Sequence, residues 1–388
     1  MTDPSRPLRI AILAHSTNPR GGVVHALELA DALTRLGHEA VVHAPDSTGN
    51  GLFRAPLTPA VTVMATPAGR DVAEMVRLRI ADYLRHFEKP AHRDWDVFHA
   101  QDSISGNALA VLKQRGLIPA FARTVHHIDH FDDPRLADWQ ERAIAEADEL
   151  FVVSRMWQRT LRVEFGRTSA IVGNGVDTSR FSAARAAQDA EIAARYGIGG
   201  GPVLLSVGGV EARKNSVAIV AAFQQVLAIH PDAQLVIAGG ASLLDHADYQ
   251  RGFETIVRSS PALERAVSRI GPVKDADMPS LYRLANALVF PSLKEGFGLV
   301  VLEAMASGTP VVTSRIDPFT EYLGDHDVVW CDPRNVGSIA NAMMTVISEP
   351  LHTRLRRLGV LVARQFDWRR TAEAHLPIYH AFTERQHA

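Results

Sequence analysis

Leu8-Arg9-Ile10-Ala11-Ile12-Leu13 is a short, almost wholly apolar run, the pattern of a parallel strand buried on both faces. Pro19-Arg20-Gly21-Gly22 then breaks the chain, and Val23, Leu27, Ala30, Leu33 and Leu36 recur at helical spacing until Gly37-His38. Glu39 to Ala44 returns to a strand. A strand, a crossover helix and a second strand in that order predict a right-handed unit on a parallel sheet. The alternation continues with strands expected near Val97-Phe98-His99, Phe121 to His126, Leu150 to Val153 and Ala170-Ile171-Val172. Helices are expected near 104–114, 135–146 and 155–164.

Gly199-Gly200-Gly201-Pro202 is the most linker-like cluster, and after it the pattern restarts. Strands are expected at Val203 to Val207, Leu235 to Ala238, Leu288 to Phe290 and Pro310 to Thr313, with helices over Ser216 to Ile229 and Leu299 to Ala306. Two such series predict an α/β protein of two doubly wound, Rossmann-like domains, 1–185 and 186–368, each turning the carboxyl edge of its strands to a common central cleft. Asp367 to Gln386 reads as a last helix with no strand after it, and the stretch 369–388 is assigned to the first domain by packing back on it.

The composition agrees with two domains. The chain has 388 residues, 46% hydrophobic and 22% charged, enough for a sizeable core but long for one compact unit. Lys plus Arg number 41 against 43 Asp plus Glu, a formal charge of -2, which disfavours a nucleic-acid partner. A lone cysteine, Cys331, excludes an internal disulfide framework and a multi-cysteine zinc site. No targeting segment is read at Met1 to Pro7, and no apolar run approaches the ~20 residues of a spanning helix, so the expectation is a cytoplasmic protein whose only membrane contact would be peripheral, at the inner face.

The chemistry concentrates in Pro291-Ser292-Leu293-Lys294-Glu295-Gly296-Phe297-Gly298-Leu299, which runs on through Glu303 to Thr309-Pro310. Strand, glycine turn and helix follow in order. Gly296 and Gly298 let the backbone approach a ligand, and a helix starting near Leu299 aims unpaired N–H groups at it, which makes an anion site. Glu295 and Glu303 repel phosphate, so hydroxyl groups of a sugar and a ribose are their expected partners. A plain glycine turn before an amphipathic helix, with two solvated glutamates, is the competing reading.

The string from Glu295-Gly-Phe-Gly-Leu through Glu303-Ala-Met-Ala-Ser-Gly-Thr-Pro-Val-Val resembles the E-x7-E signature of the family 4 retaining glycosyltransferases, which have the GT-B fold. Gly21-Gly22, Thr124-Val125-His126, Asn174-Gly175-Val176-Asp177, Val207-Gly208 through Lys214 and Ala238-Gly239-Gly240 fit the same family in order and separation. The resemblance implies that Glu295 meets donor-sugar hydroxyls and Glu303 the ribose, while Gly296, Phe297, Gly298 and Leu299 line the diphosphate. It also implies that Lys214 neutralises the diphosphate as it leaves, where charge grows in the transition state. By the same resemblance His126 is placed beside the donor sugar, with His127 and His130 as rivals and a satisfied structural histidine as the competing reading, and backbone near Ile270 to Val273 is expected at the base. One position departs from the pattern: Gly209 stands where many members have arginine, and Arg213 is the substitute cation expected, with a solvent-facing side chain as its competing reading.

Other features carry two readings. Gly21-Gly22 admits a diphosphate or an acceptor hydroxyl, or is a tight turn. Asn174-Gly175-Val176-Asp177 reads as a hinge approach. His126-His127-Ile128-Asp129-His130 invites a metal, yet alternate strand residues face opposite ways and no further ligand is spaced to close a site. Asp94-Trp95-Asp96, Asp275-Ala276-Asp277 and Asp325-His326-Asp327 mimic a metal-binding D-x-D but read as loop or cap residues. Arg77, Arg79 and Arg85 suggest a lipid surface, which Asp71, Glu74 and Asp82 offset.

The resemblance implies metal-independent, retaining transfer of a hexose-type unit from a nucleoside-diphosphate sugar to an acceptor hydroxyl. Glu295, His126 and Lys214 stand at the chemistry, Gly22, Gly209, Arg213 and Val273 join the donor contacts, and no cofactor is expected. A GT-B epimerase or phosphorylase, or a catalytically silent sugar-nucleotide binder, is the alternative.

Overall fold

Apolar strands buried on both faces need helices above and below them, and the chain supplies this twice. The computed structural model describes residues 6–240 and 247–387, so the amino-terminal residues 1–5 read for a targeting segment lie outside it. It divides into one unit of Met1–Gly175 with Trp368–Ala388 and a second of Val176–Asp367.

The first unit runs β1 (Arg9–Leu13), α1 (Gly21–Arg35), β2 (Glu39–Asp46), β3 (Val61–Met64), α2 (Val72–Phe87), β4 (Val97–Ala100), α3 (Ser103–Gln114), β5 (Ala122–Val125), α4 (Pro134–Ala145), β6 (Glu149–Val152), α5 (Arg155–Glu164) and β7 (Ala170–Ile171). Its sheet has the order β3-β2-β1-β4-β5-β6-β7, with parallel pairs throughout. Ile10 and Ile12 of β1, between β2 and β4, are wholly buried. Gly37, at φ 93°, closes the turn after α1 in a conformation that suits glycine. Asp102 caps α3 by accepting from the Ser105 N–H at 2.8 Å.

The second unit runs α6 (Asp189–Tyr196), β8 (Val203–Val207), α7 (Ser216–Leu227), β9 (Gln234–Ala238), α8 (Ala247–Arg258), α9 (Pro261–Ala266), β10 (Val267–Gly271), α10 (Met278–Leu284), β11 (Ala287–Phe290), α11 (Leu299–Ala306), β12 (Val311–Ser314), β13 (Val329–Cys331), α12 (Val336–Val346) and α13 (Leu351–Ala363). Its parallel sheet has the order β10-β9-β8-β11-β12-β13. Leu204, Leu235, Val289 and Phe223 anchor its core. The last helix, α14 (Trp368–His387), belongs to the first unit, where it packs on α1.

The division falls at Gly175–Val176, ahead of the expected 185–186. Residues just after it are tied into the second unit: Arg180 pairs with Asp275 at 2.7 Å, the Phe181 ring meets Tyr282, and Arg283 donates to the Ser182 carbonyl. The Gly199–Pro202 cluster is accordingly no boundary but a connection inside that unit, where the Gly199 N–H donates to Gln234. Strands β3, β10 and β13 went unanticipated. They lie at or next to a sheet edge with few buried residues, so they lack the apolar run that marks a central strand.

Candidate functional site

In the second unit two loops at the carboxyl ends of β8 and β11 are held together by main-chain and side-chain bonds. The Leu293 N–H donates to the Arg213 carbonyl at 2.9 Å. Asn215, at φ 62°, donates its amide to the carbonyls of Pro291 and Pro333 at 3.2 and 2.6 Å. This clamp sets Lys214 against Glu295: Nζ donates to Oε2 at 2.6 Å and lies 4.2 Å from the centroid of the Phe290 ring. The Arg213 guanidinium reaches both Glu295 oxygens at 3.1 Å and lies 3.7 Å from Glu211. The Lys214 and Glu295 side chains are only 12% and 11% exposed. Burial works to raise the Glu295 carboxyl, but the charges of Lys214 and Arg213 outweigh it and hold the group at about 2. Burial, helped by the neighbouring Arg213 charge, lowers the Lys214 ammonium against the pull of Glu295 and Glu211.

Beyond Glu295 the turn leaves several backbone N–H groups without acceptors among the described residues. Gly296 donates its N–H to the Glu295 carboxylate at 3.1 Å. The N–H groups of Phe297, Gly298 and Leu299 have no acceptor among the described residues, and α11 starts directly behind them. Phe297 is fixed by stacking on Tyr322, 4.8 Å between centroids, while the Tyr322 hydroxyl donates to its carbonyl at 3.0 Å. Gly298 is required twice over: φ is 91°, and a Cβ would stand 2.6 Å from the Phe319 ring. Glu303 accepts from the wholly buried Tyr282 hydroxyl at 2.7 Å.

Gly209 explains the missing arginine. Its φ is 76° and a Cβ would lie 2.5 Å from the Gly240 carbonyl oxygen, so this backbone takes no side chain there. The guanidinium of Arg213, the substitute cation expected, is turned onto Glu295. Gly209, Gly239, Gly240, Gly271, Phe253 and Val257 are among the residues that line a cavity of about 450 Å³. Val273, expected at the base, follows β10 in a half-buried loop.

In the first unit His126 stands one residue past β5, and its Nε2 meets the Gln101 side-chain oxygen at 2.9 Å. Gly22 comes close: a Cβ would sit 3.3 Å from the His126 ring. Behind them is a buried histidine group. The His25 ring lies 4.7 Å from His126, 5.4 Å from Trp368 and 6.2 Å from His375, and His25 Nδ1 meets the Asn174 side-chain oxygen at 2.6 Å. Burial pushes His25 down to about 4 and His375 to about 3, and drives His99 and His126 well below the ordinary histidine range. These rings are neutral at physiological pH.

The remaining candidates are engaged elsewhere. His127 pairs with Asp129 on the surface, and among the described residues no group of His, Cys, Asp and Glu is arranged to hold a metal. Asp96 accepts from the Arg9 N–H, Asp277 from Arg195 and Tyr196, and Asp327 from the Gly324 N–H. Arg79 is buried on Asp82, Arg85 also reaches it, and Arg77 holds Glu74, so these arginines face carboxylates of their own helix. Among the described residues no helix is long and apolar enough to cross a membrane. Sequence reasoning missed Asn215, Tyr282, Tyr322 and Gln101. Only Asn215 carried a signal, as an asparagine next to a motif lysine at a turn, where left-handed backbone is tolerated.

Comparison with known proteins bears on both units. The family described as Glycosyltransferase Family 4 matches residues 19–180, and that described as Glycosyl transferases group 1 matches residues 188–359. Glycogen synthase of Mycobacterium tuberculosis is 28% identical over 394 residues, covering 92% of this chain and 89% of that protein. Sucrose-phosphate synthase from Thermosynechococcus elongatus superposes with a TM-score of 0.80 at 21% identity, over 98% of this chain and 100% of that one. HepE of Anabaena, crystallised with UDP-glucose, gives 0.76 at 18% identity over 97% and 100%. With one family description on each of two parallel-sheet, Rossmann-like units of GT-B type, the chain belongs to the family 4 glycosyltransferases, group 1, and is a transferase of glycosyl groups.

Proposed function

We propose that this glycosyltransferase moves a hexose-type unit from a nucleoside-diphosphate sugar to an acceptor hydroxyl, with retention of configuration and without a metal or other cofactor, in the cytoplasm. The observation that carries the reading is the pairing of Lys214 and Arg213 with an amide-lined turn whose N–H groups at Phe297, Gly298 and Leu299 lack acceptors. Two fixed cations and a helix start suit an anion that gains charge as its bond to the sugar breaks. At about 4 Å and an effective dielectric near 20, each cation is worth roughly 4 kcal/mol to a unit negative charge.

Glu295 now holds those cations itself. On donor binding the diphosphate takes Lys214 and Arg213, and the Glu295 carboxylate turns to sugar hydroxyls, which donate to it. Glu303, held by Tyr282, accepts from the ribose hydroxyls. With its charge balanced by protein cations, the departing diphosphate accepts the acceptor's proton on the face it leaves, and the acceptor oxygen bonds to the same face of the sugar. No enzyme nucleophile is needed. His126 contributes a neutral hydrogen-bonding edge to the donor sugar.

Thermal-shift screening of UDP-, GDP- and ADP-sugars, followed by product analysis with labelled donor, tests the proposal. Stabilisation by at least one donor and a glycosylated product with retained anomeric configuration are expected. An epimerised or phosphorolysed donor, inverted product, or loss of turnover with a chelator would contradict it.

A further inference from the structure

His126 does not act alone: its Nε2 edge is spoken for. Gln101, 3% exposed at the end of β4, places its side-chain oxygen 2.9 Å from that nitrogen. The orientation of the Gln101 amide follows from its other contact. Its Nε2 stands 3.3 Å from both ring nitrogens of His99. Both of those nitrogens are already bonded, Nδ1 to the Tyr379 hydroxyl at 2.7 Å and Nε2 to the Thr124 hydroxyl at 2.8 Å. The amide group therefore meets the His99 ring rather than a free lone pair. An N–H is attracted to an electron-rich ring where a carbonyl oxygen would be repelled.

An amide oxygen only accepts, so the hydrogen of a neutral His126 lies on Nε2 and the lone pair on Nδ1. Nδ1 has no partner among the described residues. The groups whose charge bears on the ring are His25 on α1, His99 on β4, Arg123 on β5 and His127 beside it, all basic, so nothing there favours a second proton. Gly22 closes the other side of the Nε2 edge, where a Cβ would be 3.6 Å from that nitrogen.

We propose that Gln101 is a positioning residue that locks His126 as the Nε2–H tautomer, so that His126 meets the donor sugar as a hydrogen-bond acceptor through Nδ1. This rests on the proposed transfer reaction for its second half, while the tautomer stands on the first unit alone. His126 then orients a sugar hydroxyl and neither protonates the leaving diphosphate nor carries charge in the cycle. The anchor runs on through His99 to the Tyr379 hydroxyl of α14, 280 residues along the chain.

The test is nitrogen NMR of histidine-labelled protein at mildly alkaline pH, with His126 assigned by its loss in His126→Ala. The wild type should show a protonated Nε2 and an unprotonated Nδ1; the reverse would overturn the proposal whatever the variants do. Gln101→Leu should give a mixture of tautomers and lower kcat/KM for the donor by up to about tenfold, the worth of one hydrogen bond. Gln101→Glu, which keeps an acceptor oxygen, should restore the Nε2–H form. An unchanged single tautomer in Gln101→Leu would also overturn the positioning role. Should His126→Ala turn over donor like the wild type, the transfer role of His126 fails while the tautomer result remains, so the two claims separate.

Discussion

The two units present opposite electrostatics at the ends of their sheets. The second sets full charges face to face, Lys214 and Arg213 on Glu295, with the Lys214 and Glu295 side chains nearly buried and Arg213 more exposed. The first holds His25, His99 and His375 buried and His126 half-buried, each bonded to neutral partners, and desolvation keeps the rings neutral. Under the proposed transfer, the contrast is a division of labour. A group that must stabilise growing charge needs preorganised ions, whereas a group that only orients an uncharged sugar is better made of neutral donors and acceptors, which impose no ionic desolvation on the ligand.

Acid should separate the units most. Burial sets His25 near 4 and His375 near 3, against about 6.5 in an unfolded chain. Below that value the unfolded chain binds protons that the folded unit refuses. Stability of the first unit therefore falls as pH drops from about 6.5 toward 4, by up to about 1.4 kcal/mol per pH unit for each such histidine. His43, at about 3, adds to this. The second unit behaves otherwise: burial pushes Glu295 up but Lys214 and Arg213 bring it to about 2, so its contribution is whole above the unfolded value of about 4.3 and fades only as pH falls toward 2. Hydrogen exchange at about pH 5 should open α1 and α14 while α7 and α11 stay protected. Equal loosening of both units would break the contrast.

Next in size, Lys214→Ala should lower kcat by about 10²–10³, the loss of ~2.7–4 kcal/mol seen when one preorganised transition-state contact is removed. His126→Ala should cost no more than about tenfold, because a neutral hydrogen bond contributes roughly 0.5–1.5 kcal/mol. Steady-state kinetics reversing that order would invert the division of labour. Smallest, Tyr282→Phe removes the hydroxyl that holds Glu303 and should raise the donor KM by about fivefold, near 1 kcal/mol, with kcat little changed. A large kcat defect would instead put Glu303 at the chemistry.

What the sequence made legible follows the same contrast. The second unit's site lies mostly in one continuous stretch from Pro291 to Pro310, so strand, glycine turn and helix were readable together. The alternation of apolar runs and helical spacing likewise marked the central strands. The first unit's support was hidden, because Tyr379 and His99 are 280 residues apart and nothing local announces their bond. Gly209 was visible as a departure, but its cause, the approach of the Gly240 carbonyl, exists only in three dimensions. The expected boundary at 185–186 and the observed division at Gly175–Val176 differ by ten residues, and the ties that hold those residues in the second unit, Arg180 to Asp275 and Arg283 to the Ser182 carbonyl, join positions roughly a hundred residues apart, which no local pattern announces.

The proposed chemistry requires that the cations now holding Glu295 accept a diphosphate. Calorimetric titration of UDP, GDP and ADP into the wild type and Lys214→Ala measures this directly. At least one should bind the wild type and lose tenfold or more in affinity in the variant, a change of about 1.4 kcal/mol or greater. Binding of equal strength to both proteins, or none to either, would contradict it.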